Sequence, residues 1–98
     1  SSIKFYSKRL IEQPTCKGIA DLILTPRRAF IDKYPALVIE LKCGHTAQDA
    51  ITQIKEKNYV EFVKPYAQRA LLIGISYDPK TKAHSCVIEE ERFDVTDP

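Results

Sequence analysis

Asp21 interrupts the apolar run Ile19-Ala20-Asp21-Leu22-Ile23-Leu24, and Glu40 and Lys42 close a second run, Ala36-Leu37-Val38-Ile39-Glu40-Leu41-Lys42. Both segments are rich enough in Leu, Ile and Val to read as buried strands, where an unpaired charge is expensive. Two facing carboxylates in a partly dry site repel, and one of them keeps its proton unless a cation holds both. A divalent metal is the simplest such cation. Two carboxylates and one backbone carbonyl form a hard, oxygen-rich half-shell suited to Mg²⁺ or Mn²⁺, with water filling the rest. Such an ion acidifies water and withdraws charge from a phosphate, and a neighbouring ammonium orients the attacking water or stabilises developing negative charge.

The elements that would position these groups follow from periodicity and punctuation. Residues 3–13 mix apolar and charged positions and read as a first strand ending at Pro14, which has no donor for a ladder. Gly18 opens a second strand through Leu24, which the run Thr25-Pro26-Arg27-Arg28 breaks. Residues 32–35 connect to a third strand, Ala36 to Lys42, closed by Gly44. Strand after strand predicts an antiparallel meander. Alternation puts Val38, Glu40 and Lys42 on one face of the third strand and Ile19, Asp21 and Ile23 on one face of the second. Antiparallel pairing then brings Asp21 beside Glu40 in the right register.

Thr46 as N-cap with Asp49 three residues later resembles a capping box and starts a helix whose apolar stripe is Ala47, Ala50, Ile51 and Ile54. Tyr59, Phe62, Val63 and Tyr66 form a second stripe out of phase with the first, which predicts a bend or break near Asn58. Pro65 ends the element. Ala70 to Tyr77 is nearly all apolar and reads as a central strand covered on both faces and parallel to the third, because a helical crossover leads to it. Asp78 to Lys82 is a turn, Ala83 to Glu89 a last strand, and residues 89–98 a loose acidic tail. One long helix cannot cover both faces of such a sheet. A missing amino-terminal helix or a partner subunit is implied, and Ser1-Ser2 reads as a fragment boundary within a longer protein.

Composition restricts the setting. Ninety-eight residues make a single domain spanning 1–98, and no apolar run nears the roughly 20 residues that span a bilayer. No signal-peptide pattern appears. Three widely spaced cysteines, Cys16, Cys43 and Cys86, without a Cys-x-x-Cys pair argue against a disulfide framework or zinc cluster and for a reducing, cytoplasmic setting. From Glu89 onward five acidic residues face one basic one, which leaves residues 1–88 with fourteen basic against eight acidic, a net of +6. A basic body of this kind suits a polyanion without requiring one.

Gly18 to Leu24, Ile39-Glu40-Leu41-Lys42, the helix segment Ala50 to Tyr59 with Gln53 inside it, and Leu72-Ile73-Gly74-Ile75 together resemble the PD-(D/E)XK nuclease superfamily. Within it the chain is most similar to nuclease domains found downstream of AAA-type ATPase regions in bacterial proteins. The resemblance covers roughly residues 9–88, and the ordered combination is far more specific than Glu-x-Lys alone. It implies an α/β fold, an α+β mixed sheet of restriction-endonuclease-like core: a three-strand meander, a helix crossover and two further strands, with the first family helix absent from this chain. It also implies Asp21 and Glu40 as ligands of Mg²⁺ or Mn²⁺, the Leu41 carbonyl as a third, and Lys42 as the catalytic lysine. Gln53 and Tyr59 match helix positions that line the site or meet nucleic acid, Lys57 lies one helical turn from Gln53, and Glu12 matches an acidic position on the first strand. Ile19 departs from the pattern, since an arginine often follows the glycine in this group.

Each residue has a plainer reading. Asp21 alone is a structural carboxylate, and Glu40 with Lys42 a solvated edge pair worth at most about 1 kcal/mol. Gln53 and Lys57 are exposed helix surface, Tyr59 is core, and His45 and His84 are surface or capping residues too remote for a zinc site. Cys43 lacks a base partner for nucleophilic work. Arg27 and Arg28 are a solvated loop.

Three functions stand against one another. The first is a metal-dependent deoxyribonuclease. The second is an inactive nuclease-fold module that binds nucleic acid or a partner ATPase. The third is a DNA junction resolvase, which would form a homodimer.

Overall fold

The computed structural model describes residues 5–10 and 20–93. Five strands, β1 (Tyr6–Leu10), β2 (Ala20–Pro26), β3 (Ala36–Cys43), β4 (Arg69–Tyr77) and β5 (His84–Arg92), form one sheet in chain order. Pairing is antiparallel except between β3 and β4. The crossover joining those two parallel strands holds α1 (Ala47–Glu56), α2 (Tyr59–Val63) and a 3₁₀ turn (Lys64–Tyr66) containing Pro65. The mixed sheet with two helices is thus an α+β arrangement, as the resemblance implies.

Alternation decides what each strand offers the helices. In β3 one side of the pleat (Ala36, Val38, Glu40, Lys42) is buried, while Leu37, Ile39 and Leu41 on the other side are only half-buried. Cross-strand neighbours continue the first set into Asp21 and Ile23 on β2 and Ala70, Leu72 and Gly74 on β4. Helix α1 lies over this face with Ala47, Ala50, Ile51 and Ile54 buried against it. Fully burying Ile51 and Ile54 contributes roughly 1.5–3 kcal/mol each relative to exposure. Val63 and Ala67 extend the core beyond α1, with Tyr59, Val60, Val87 and Phe93 packed against it.

Two local devices hold α1 in place. Thr46 Oγ1 accepts from Asp49 N at 3.0 Å while Asp49 Oδ2 accepts from Thr46 N at 3.2 Å, which completes the expected capping box. At Gly74 a side chain is excluded, because a Cβ there would run into the backbone carbonyl oxygen of Ala47 and crowd Ile51 Cγ1 at 3.0 Å. The helix therefore rests on bare strand backbone. Gly44, at φ 78°, turns the chain out of β3 toward the cap in a conformation that favours glycine.

Several expectations need correction. The strand β2 continues through Thr25 and Pro26, paired with Ser7 and Tyr6; Pro26 has no N–H to donate, and the cross-strand bond is supplied one residue later by Arg27 N, which donates to Phe5 O at 2.8 Å. Among the described residues a helix covers only one face of β4: Leu71, Ile73 and Ile75 stay half-buried, since α1 packs on the opposite side. β5 runs on through Glu89 to Arg92, past the expected start of the acidic tail. Its acidic residues alternate along the ladder, where Glu89 pairs with Lys55 at 2.8 Å, Glu90 meets Arg69 at 3.4 Å, and Phe93 N donates to Gln68 O at 3.0 Å. Cys43 is disulfide-bonded, with a partner outside the described residues, and Cys86 is free. An odd cysteine count leaves room for one bridge, so the cysteines supply no argument for a reducing compartment. No helix among the described residues is long and apolar enough to cross a membrane. Glu12, Pro14, Gly18 and Ile19 lie outside the described residues.

Candidate functional site

The β2–β3 register pairs Asp21 directly with Glu40, on the face beneath α1. Both side chains are removed from solvent, at 1 % and 0 % exposure, and Lys42, one residue pair along the same face, retains 9 %. Gly74 flanks Glu40 on the β4 side, so the absence of a side chain there leaves Glu40 under the helix without a competing group. Helix α1 then delivers Gln53. Oriented so that both its amide atoms are satisfied, Gln53 Nε2 donates to Glu40 Oε2 at 2.7 Å and its Oε1 accepts from Lys42 Nζ at 3.3 Å. One amide thus fixes the carboxylate and the ammonium relative to each other.

Lys57 and Tyr59 complete the cluster from an unexpected direction. Lys57 Nζ donates to Asp21 Oδ2 at 2.8 Å and lies 3.4 and 3.5 Å from the two Glu40 oxygens. Tyr59 Oη donates to the same Asp21 Oδ2 at 2.6 Å. Residues two apart on a continuous α-helix point about 200° away from each other and do not share a target. Here they do share one, because Asn58 between them adopts the left-handed conformation, φ 61° and ψ 33°, and separates α1 from α2. The break read from the shifted apolar stripes is therefore also the joint that assembles the site.

The electrostatics follow from burial and from this cation. Burial, followed by the hydrogen bond and charge of Asp21, pushes the Glu40 carboxyl up to about 7. Burial acts on Asp21 in the same direction, yet hydrogen bonds from Lys57, Tyr59 and Glu40 outweigh it and leave its carboxyl below the usual aspartate value. Burial would lower Lys57, but the hydrogen bond to Asp21 and the charges of both carboxylates prevail and raise it. At neutral pH the pair consequently carries an ionised Asp21 beside a Glu40 that still shares its proton. Among the described residues Asp21 Oδ1 is buried and accepts from no lysine, tyrosine or backbone donor. Among the described residues no three His, Cys, Asp or Glu side chains gather into a larger cluster. Two carboxylates with one unsatisfied oxygen fit a hard divalent ion that takes its remaining ligands from backbone and water.

Of the candidate residues, Asp21, Glu40, Lys42, Gln53, Lys57 and Tyr59 converge on this site. Leu41 lies between Glu40 and Lys42 with its side chain on the opposite face, and Glu12 is outside the described residues. His45 makes an exposed pair with Asp49 at 3.9 Å and takes no part. Tyr59 packs against the core while its hydroxyl reaches Asp21. In the sequence Gly74 stands only within the strand motif Leu72-Ile73-Gly74-Ile75. Its isolated position inside an otherwise apolar strand is the signal of close backbone approach.

No curated protein and no solved structure matches the chain. A family model described as the PD-(D/E)XK nuclease superfamily matches residues 4–89, a span that contains every side chain of the cluster. With Asp21 cross-paired to Glu40-Leu41-Lys42 under the crossover helix, and with the match running through most of its length, the chain belongs to the PD-(D/E)XK nuclease superfamily of nuclease-type phosphodiester hydrolases.

Proposed function

We propose that the chain is a metal-dependent deoxyribonuclease domain, hydrolysing DNA backbone phosphodiesters at the Asp21–Glu40 pair. The observation that carries this reading is the direct pairing of two buried carboxylates with a lysine one residue pair away on the same face. Asp21, Glu40 and the Leu41 carbonyl would hold Mg²⁺ or Mn²⁺, and the ion supplies Lewis acidity toward a phosphate and lowers the pKa of water. Lys42, its ammonium held by Gln53, orients the attacking water and stabilises charge gathering on the phosphoryl oxygens. Tyr59 holds Asp21 in place, and Gln53 does the same for Glu40. The basic body of the chain favours approach of a polyanion, and an AAA-type ATPase region in the same or a partner chain is the partner that the family resemblance suggests. Asp21→Asn and Lys42→Ala should each abolish Mn²⁺-dependent DNA cleavage while leaving the circular-dichroism spectrum unchanged. Cleavage at the wild-type rate by either variant sinks this assignment.

One observation favours a second reading. Lys57 already places a positive charge across both carboxylates, as it would in an inactive module that binds nucleic acid or an ATPase and has replaced the ion with an ammonium. That module would take up no Mn²⁺ in calorimetry.

A further inference from the structure

Lys57 is the one lysine among the described residues within hydrogen-bond reach of Asp21 and Glu40 together. Lys42, although on the same strand face as Glu40, is held by the Gln53 amide instead. The two lysines therefore do different things. We propose that the Lys57 ammonium is a built-in competitor for the divalent cation, holding the two carboxylates together before the ion binds and swinging out when it does. The proposal rests on the nuclease reading, because it takes Asp21 and Glu40 as the cation site.

Three features make the exchange physically reasonable. First, the ammonium contacts the atoms that an ion would need: Asp21 Oδ2 at 2.8 Å and both oxygens of Glu40. It leaves Asp21 Oδ1 without a partner, so a single ammonium does not use the full donor set. An ion of higher charge with several coordination positions satisfies oxygens that the lysine cannot. Second, the backbone at Lys57 is anchored, its N–H bonding to Gln53 O and Lys55 O at the end of α1, so only the flexible side-chain stem has to move. Third, a way out exists. The Lys57 side chain is 30 % exposed, whereas those of the two carboxylates are 1 % and 0 % exposed, and its Nζ already lies 5.8 Å from the Tyr59 ring centroid. The displaced ammonium can move into water along the face of that ring.

A lysine that merely oriented Asp21 would help the ion to bind, and its removal would weaken metal affinity. A competitor gives the opposite sign. Lys57→Met keeps the length and apolar stem of the side chain and removes the charge. Calorimetry with Mn²⁺ on the metal-free protein should show Lys57→Met binding at least about tenfold more tightly than wild type, the factor attached to losing one charge-assisted hydrogen bond. Without metal the same variant should melt below wild type, and Mn²⁺ should close the gap. Equal or weaker Mn²⁺ affinity in Lys57→Met, with binding still abolished by Asp21→Asn, overturns the competitor role and leaves the metal site standing. No Mn²⁺ binding by wild type or Lys57→Met overturns both. A second measurement uses the unmodified protein: the Lys57 side-chain amine resonance should shift during a Mg²⁺ titration with the dissociation constant that calorimetry gives for Mg²⁺. A resonance unmoved at saturating Mg²⁺ overturns the proposal even if Lys57→Met fails to fold.

Discussion

Asn58 offers the sharpest test of how the site is built. It adopts φ 61° and ψ 33° and makes no side-chain capping hydrogen bond, so a substitution there acts on the backbone rather than on a lost contact. The left-handed region costs an ordinary L-residue about 1–2 kcal/mol, a cost that Asn lowers and Gly escapes. Asn58→Gly should therefore stay within about 0.5 kcal/mol of wild type, since relief of strain is offset by a more flexible unfolded chain. Asn58→Ala should lose about 1 kcal/mol and β-branched Asn58→Val about 2 kcal/mol. In a domain of this size 1 kcal/mol is roughly 4–8 °C in melting temperature, well within reach of thermal and urea unfolding followed by circular dichroism. The strained variants also have an escape: running α1 straight into α2 removes the strain but turns Lys57 and Tyr59 about 200° apart. The Tyr59 phenol resonance, which reports the 2.6 Å bond to Asp21, should accordingly move in Asn58→Ala and not in Asn58→Gly. Equal stabilities for the Ala and Gly variants, with the Tyr59 signal unchanged in both, would refute the claim that this one residue joins the two contacts.

Two further outcomes bear on the same architecture. Gly74→Ala should destabilise the domain by about 1–3 kcal/mol, because the new methyl meets the Ala47 carbonyl oxygen and Ala50 Cβ, at 3.1 Å, and lifts α1; Mn²⁺ affinity should fall with it, since α1 carries Gln53, which holds the Glu40 carboxylate in place. In the metal-free protein Glu40 ties stability to pH. Its carboxyl is raised from an ordinary 4.5 to about 7, so its stabilising contribution is complete below about pH 4.5 and is lost as pH rises through 7. Asp21, shifted down, contributes stability that is present above its ordinary value and is lost only as pH falls below it, outside that window. Urea midpoints at pH 5 and pH 8 should diverge between wild type and Glu40→Gln by up to about 3 kcal/mol, and parallel curves would contradict the shift.

Much of the frame was readable because it depends on short-range rules. Alternation placed Asp21 and Glu40 on matching faces, Thr46 and Asp49 announced the helix start, and the phase shift of Tyr59, Phe62 and Val63 located the break at Asn58. The reach of Lys57 was not readable, because it depends on the sign of one dihedral angle, and that sign reverses which side chains converge. The end of β5 at Arg92 is hidden in the sequence for a different reason. Glu89, Glu90 and Glu91 look like tail by composition, whereas an edge strand with one solvated side tolerates them when Lys55 and Arg69 stand opposite. The Cys43 bridge escaped because an odd cysteine count says nothing about which two of three pair. The half-buried second face continues onto β5 at Ile88, 58 % exposed.

The close seating of α1 on Gly74 also sets an order of assembly. β2 and β3 can pair across the short connection 27–35, which brings Asp21 and Glu40 together as neighbouring like charges. The ammonium that relieves them arrives only with the crossover, since α1 has its seat only after β3 and β4 have paired in parallel, a non-local contact that must first overcome loop-closure entropy. On that order the two acids meet before their lysine does, and acidification, which neutralises the pair, should speed the refolding of this chain in stopped-flow measurements.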